Sequence, residues 1–148
     1  MTRSYLFVCV AFLLFSFSAD QSYQDGDYVG TSRAGYTDEP YYGHVALSIR
    51  NGEIVKVNFC IRDSAKNEYL DNQYERHFAG NDLYVQQCRN DVKGLRSYPD
   101  SLLKYQDISK VDAITGATWS FNIFKASVEK ALSAKDSINS IQVLPVKE

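Results

Sequence analysis

Val45, Leu47 and Ile49 alternate with His44, Ala46, Ser48 and Arg50, and a second apolar run, Ile54 to Phe59, follows Asn51-Gly52. Alternation of this kind marks a half-buried strand, and Asn-Gly between two such runs marks a hairpin turn. A two-residue turn would leave Ile49 and Ile54 on one face but put Val57 and Phe59 on the other. One extra residue near Val55-Lys56 restores them, so a β-bulge there, or a longer loop, is expected. Upstream, a short entering strand is expected around Asp27–Thr31, then a loop carrying Tyr36, Tyr41 and Tyr42.

The period then changes. Residues 62–96 are polar with sparse apolar positions, which predicts short helical pieces around Asn72–Ala79 and Leu83–Asn90. Pro99 suits the first turn of a separate short helix over Tyr98–Gln106. Phe121, Phe124, Val128, Ala131 and Leu132 recur at three- and four-residue spacing, predicting a long amphipathic helix from near Trp119 to Ala134–Ser137. Ile141 to Val146 reads as a closing strand. Strands first and helices after predict an α+β fold: a small antiparallel sheet with a hairpin, packed against a C-terminal helix.

The first residues belong to a different pattern. Arg3 precedes an apolar run from Tyr5 to Phe17, and Ser16-Phe17-Ser18-Ala19 offers small residues for cleavage. That is the layout of a secretory signal peptide over residues 1–18, leaving a single domain over 19–148. The run is shorter than the usual membrane-spanning helix of about 20 residues; retention as an uncleaved anchor is the alternative. The chain is therefore expected outside the cytoplasm, in a periplasm or at a cell surface, in association with the membrane. Cys60 and Cys88 would remain in that oxidising setting, where a disulfide between them is expected and two reduced thiols are the alternative. Such a bridge would add roughly 3–4 kcal/mol by closing the loop between them.

The 148 residues carry a net charge of −2, which argues against a sequence-independent nucleic-acid binder. Composition is otherwise ordinary for a globular chain apart from 11 Tyr and 8 Phe. There is no Cys-x-x-Cys-His, no Gly-x-x-x-x-Gly-Lys and no Gly-x-Gly-x-x-Gly opening a helix. His44 and His77 have no metal-ligand spacing with Cys60 and Cys88, so no metal site is expected. Nothing forms a general acid, base or nucleophile constellation, so the chain does not read as a stand-alone enzyme.

One segment stands apart: Asp112-Ala113-Ile114-Thr115-Gly116-Ala117-Thr118-Trp119-Ser120. It is a small-residue loop entering the N-terminus of the amphipathic helix, where free N–H groups and the helix dipole favour an anion such as phosphate. Gly116 and Ala117 admit a close approach to the backbone, while Thr115, Thr118 and Ser120 supply hydroxyls. A threonine before a helix is also a common N-cap; the residues by themselves leave both readings open.

The segment resembles the flavin-attachment motif of the FMN-binding domain family, Asp-x-x-Ser/Thr-Gly-Ala-Thr-x-Ser/Thr. Asp25-Gly26-Asp27-Tyr28-Val29-Gly30 resembles the family's opening Asp-Gly-x-Tyr-x-Gly, and Gly43 through Val57 its hairpin. Tyr98-Pro99, Gln106 and Val111-Asp112 resemble the approach to the attachment loop in small exported members. The family includes peripheral subunits of sodium-pumping NADH:quinone oxidoreductases and Rnf-type complexes, and exported bacterial flavoproteins that carry electrons at the cell surface. The resemblance implies FMN joined through its phosphate to the hydroxyl of Thr118 by a dedicated flavin transferase. It places Thr115, Gly116 and Ala117 around the phosphate and has Asp112 shape the loop. Trp119 is implied as a ring neighbour of the flavin, as are Tyr36, Tyr41 or Tyr42, with Ser120 a further hydroxyl at the site. The implied function is electron transfer from a membrane donor, such as a quinone- or NADH-linked dehydrogenase, with no nucleic-acid partner. Two alternatives stay open: a non-redox relative serving as a flavin-binding or assembly module, and a subunit of a larger envelope reductase.

Overall fold

The structure, a computed structural model, describes residues 23–33 and 38–133. The expected leader and the expected strand over Ile141–Val146 lie outside the described residues. Four strands, β1 (Gly26–Ser32), β2 (Tyr41–Arg50), β3 (Glu53–Asp63) and β4 (Glu68–Tyr69), form an antiparallel sheet in the order β1-β2-β3-β4. Two helices, α1 (Asp82–Tyr105) and α2 (Thr118–Ser133), cover one face of it. The fold is α+β, with the hairpin packed against the helices.

The hairpin obeys the alternation. Val45, Leu47 and Ile49 of β2 and Ile54, Val57 and Ile61 of β3 are all buried. Ile49 pairs with Ile54 and Ser48 with Lys56, so Val55 is the extra residue, and it points outward, 52% exposed. The bulge restores Val57 to the core face, as expected from the sequence. The turn itself is held from outside: the Asp25 carboxylate accepts the N–H of Asn51 at 2.9 Å and of Gly52 at 2.8 Å. Those two hydrogen bonds hold the Asp25 carboxyl below the usual carboxylate range.

Gly30 and Gly43 set how closely α2 approaches the sheet. A Cβ at Gly30 would lie 2.6 Å from the Ala131 N and closer still to the Ser127 O; one at Gly43 would meet Ser127 Oγ at 2.5 Å. Only a residue without a side chain lets the helix backbone lie against β1. Val45, Phe124, Val128 and Ala131 then close the space between helix and sheet at zero exposure.

The helical pieces expected around Leu83–Asn90 and Tyr98–Gln106 are a single 24-residue helix, α1, which runs straight through Pro99. Proline inside a helix removes one hydrogen bond and costs about 3 kcal/mol or more. The buried face of α1, with Cys88, Val92, Leu95, Tyr98 and Leu102, is continuous across it, and that burial offsets the loss. Asn81 caps the start, its side-chain oxygen accepting the Tyr84 N–H. Gln106 ends the helix in the left-handed region with φ 57°. Its side-chain amide then pairs with the backbone of Ile54, accepting the N–H at 2.7 Å and donating to the carbonyl at 3.0 Å. Of the expected piece Asn72–Ala79, a 3-10 turn over Tyr74–Phe78 forms.

The Cys60–Cys88 disulfide expected from the sequence is absent; both are free thiols. Strand pleating explains it. Ile61 belongs to the buried cluster that holds Cys88, and Phe59 packs edge-on against Phe124 at 4.9 Å. Cys60 lies between Ile61 and Phe59 and so projects to the opposite face of the sheet. A bridge needs Cβ atoms about 3.5–4.5 Å apart, which the intervening sheet forbids. Burial pushes each thiol up to about 11.

Candidate functional site

The loop from Val111 to Ala117 and the first turn of α2 rest against one face of α1, and four residues of that helix grip them. Gln87 Nε2 donates to the Gly116 carbonyl at 2.8 Å and to Asp91 Oδ2 at 2.8 Å. Asp91 Oδ1 accepts the Ser120 N–H at 3.3 Å, inside the first turn of α2. The Asn90 side chain lies directly over Gly116, where a Cβ would meet its Nδ2 at 2.5 Å. Tyr98 spans the loop: its hydroxyl accepts the Ile114 N–H at 3.3 Å and donates to the Ala117 carbonyl at 2.9 Å.

Each contact has a local cause. Gln87, Asn90, Asp91, Gly94 and Tyr98 recur at three- and four-residue spacing and so share one helix face. Gly94 clears space for the Tyr98 ring, whose Cε2 would lie 2.7 Å from a Cβ there. Within the loop, the Ala117 N–H donates to Ile114 O, closing a turn in which Gly116 adopts φ 78°. That conformation is open to glycine and strained for other residues. Asp91 is 4% exposed, and burial raises its carboxyl above the ordinary carboxylate range against the pull of Gln87 and Ser120.

The expected site residues separate into three groups. Thr115, Gly116 and Thr118 are exposed, Ala117 is buried, and Thr118 is the first residue of α2. Among the described residues, the Thr118 hydroxyl has no hydrogen-bond partner. The second group is turned inward. Ser120 is fully buried, its hydroxyl donating to Ala117 O at 3.1 Å. Trp119 is half-buried, with Nε1–H donating to Glu39 Oε2 at 2.9 Å and its ring edge-on to Tyr41 at 5.0 Å. Asp112, in the third group, is an exposed residue of the loop itself. Tyr42 lies on the sheet face away from α2, beneath Arg33, and Tyr36 lies outside the described residues.

The N-terminus of α2 is thus partly filled. Asp91 takes the Ser120 N–H and Ala117 O takes the Phe121 N–H. The Thr118 and Trp119 N–H groups find no acceptor among the described residues, and no acidic residue lies in the first turn. Two free donors and an exposed hydroxyl on a glycine-opened loop suit a phosphate. A separate cleft of about 250 Å³ lies between the Tyr74–Phe78 turn and α1, lined by Asp71, Asn72, Glu75, Cys88, Arg89 and Val92. It takes none of the loop residues.

The model of the FMN-binding domain matches residues 35–133, which takes in the hairpin, both helices and the loop. The chain belongs to the FMN-binding domain family. FMN is its cofactor. Among solved structures, the chain is similar to the CPE2226 protein from Clostridium perfringens, with 23% identity and a TM-score of 0.55. That likeness covers 74% of this chain and 86% of the other, and it concerns the fold. No curated protein is a significant match.

Sequence reasoning found the loop but missed most of its support. Gln87, Asn90, Asp91 and Gly94 carried no signal beyond their shared helical spacing in a segment read as two short pieces.

Proposed function

We propose that this FMN-binding domain is an exported electron carrier whose FMN is joined through its phosphate to Thr118 Oγ1. The observation that carries the reading is the state of that hydroxyl: exposed, without a hydrogen-bond partner among the described residues, and at the head of α2. The two other hydroxyls of the segment fit less well. Ser120 is buried and committed to Ala117 O, and Thr115 lies ahead of the tight turn at Gly116 rather than on the helix. Phosphoester formation requires a flavin transferase and an activated flavin dinucleotide: the Thr118 oxygen bonds to phosphorus, loses its proton, and a nucleoside monophosphate leaves.

When bound, the flavin accepts and releases electrons one or two at a time. The chain supplies tethering and orientation. The Thr118 and Trp119 N–H groups would hold the phosphate, Gly116 would keep the approach open, and Gln87, Asp91 and Tyr98 hold the loop at one position on α1. Export rests on the leader pattern from Arg3 to Ser18, and the electron donor is a membrane dehydrogenase.

The test is co-expression with a flavin transferase, followed by flavin fluorescence of the chain after denaturing electrophoresis. Thr118→Ala is expected to lose the signal while staying folded, and Thr118→Ser to keep it. Signal persisting in Thr118→Ala, with the flavin peptide mapping to Thr115 or Ser120, would show that another hydroxyl is used. An unlabelled wild type, in a strain that labels another family member, would favour a flavin-binding module without covalent attachment.

A further inference from the structure

The first turn of α1 carries two large apolar side chains with little cover: Leu83 is 84% exposed and Tyr84 60% exposed. Single exposed apolar residues are ordinary, but these two are adjacent in the turn of α1 that precedes Gln87. Residues 83, 87 and 90 follow one another at four- and three-residue spacing, so Leu83 shares a helix face with Gln87 and Asn90. That is the face on which Gln87 donates to the Gly116 carbonyl and Asn90 covers Gly116. Leu83 therefore stands about one turn, roughly 5.4 Å, beyond the point where the helix grips the loop. Tyr84 stacks on Phe78 with ring centroids 5.7 Å apart and planes 24° from parallel. Phe78 in turn packs on the same buried cluster as Trp119. Leu83, Tyr84 and Phe78 form an apolar shelf at the start of α1, one turn before the residues that hold the attachment loop.

We infer that the isoalloxazine ring of the bound FMN lies on this shelf, with Leu83 and Tyr84 as its principal contacts. The inference rests on attachment at Thr118. A ribityl chain is longer than one helical turn, so a ring tethered at the head of α2 reaches the first turn of α1. The ring has flat apolar faces and the shelf offers a leucine and an uncovered phenol, a pairing that removes apolar area from water on both sides. Trp119, one of the ring neighbours implied from the sequence, has other contacts: its indole N–H is held by Glu39 and its ring packs against Tyr41. On this reading the flavin contact lies on α1 rather than α2.

A phenol in contact with a flavin quenches its fluorescence by donating an electron to the excited ring. The experiment measures lifetime and anisotropy of the attached flavin in full-length flavinylated wild type, Tyr84→Leu, Leu83→Asp and Trp119→Phe. Flavin per chain is scored separately after denaturation. Tyr84→Leu is expected to lengthen the lifetime severalfold at unchanged attachment. Leu83→Asp is expected to lower the anisotropy and expose the ring to iodide. Both altered residues are exposed, so folding is retained, checked by circular dichroism. Fully attached flavin whose lifetime and anisotropy ignore both variants would overturn the shelf and leave Thr118 standing, as would brightening confined to Trp119→Phe. A wild-type chain carrying no covalent flavin would overturn both together.

Discussion

Tyr98→Phe isolates the clamp from the core. The ring is 1% exposed and stacks on Phe124 at 5.7 Å, with Phe121 edge-on at 5.3 Å, and phenylalanine keeps all of that packing. Only the hydroxyl is lost, with its bonds to the Ile114 N–H and the Ala117 carbonyl. The two losses are unequal. Ala117 O still accepts from Ser120 Oγ and from the Phe121 N–H, whereas among the described residues the Ile114 N–H has its bond to Tyr98 and no other. The Ile114 bond is long, at 3.3 Å, and Ile114 is only half-buried. One well-formed hydrogen bond at about 0.5–1.5 kcal/mol, plus a partly desolvated donor, gives an expected loss of about 1–2 kcal/mol. Urea denaturation should show a lower midpoint at unchanged slope, since the surface exposed on unfolding is the same. Amide exchange at Ile114 should accelerate more than exchange in α2, and the initial rate of flavin transfer should fall with the loosened loop. Stability within about 0.3 kcal/mol of wild type, with Ile114 exchange unchanged, would refute the claim that Tyr98 holds the loop.

Gly30→Ala should be among the most damaging single changes, because its Cβ would meet the backbone of α2 at Ser127 and Ala131 rather than a movable side chain. A loss above about 3 kcal/mol, or no folded protein, is expected by thermal unfolding; a near-wild-type midpoint would show that the helix can shift away cheaply. Asp63, with no exposed surface, predicts acid sensitivity. Burial works to raise its carboxyl, but hydrogen bonds from Tyr74, Lys66 and Ala65 hold it at about 2. Against an ordinary value near 3.9 this contributes about 2–3 kcal/mol, present above about pH 4 and lost as pH falls through about 2. Asp63→Asn should flatten that limb of the stability curve, measured by urea midpoints across pH.

The periodic parts of the chain were legible without any structure. Alternation around Asn51-Gly52 determined the hairpin, and the mismatch between Ile54 and Val57 called for an extra residue near Val55-Lys56 or a longer loop, which the strand register resolves as a bulge at Val55. The three- and four-residue spacing from Phe121 to Leu132 determined α2 and its buried face, and the small residues at 115–118 determined the loop. These features depend on neighbours a few residues away, which is the range over which a sequence pattern speaks. Other features were settled between segments far apart in the chain. α1 continues through Pro99 because β3 and α2 bury its far side. Cys60 and Cys88 are not bridged because the pleat sends Cys60 to the sheet face away from α1. Gln87 reaches Gly116 across 29 residues, as Asp91 reaches Ser120. A polar residue on a helix looks solvated until the segment it binds is in place. What makes Asp91, Gln87 and Tyr98 parts of the site is a loop that folds back onto them, and no local pattern records that.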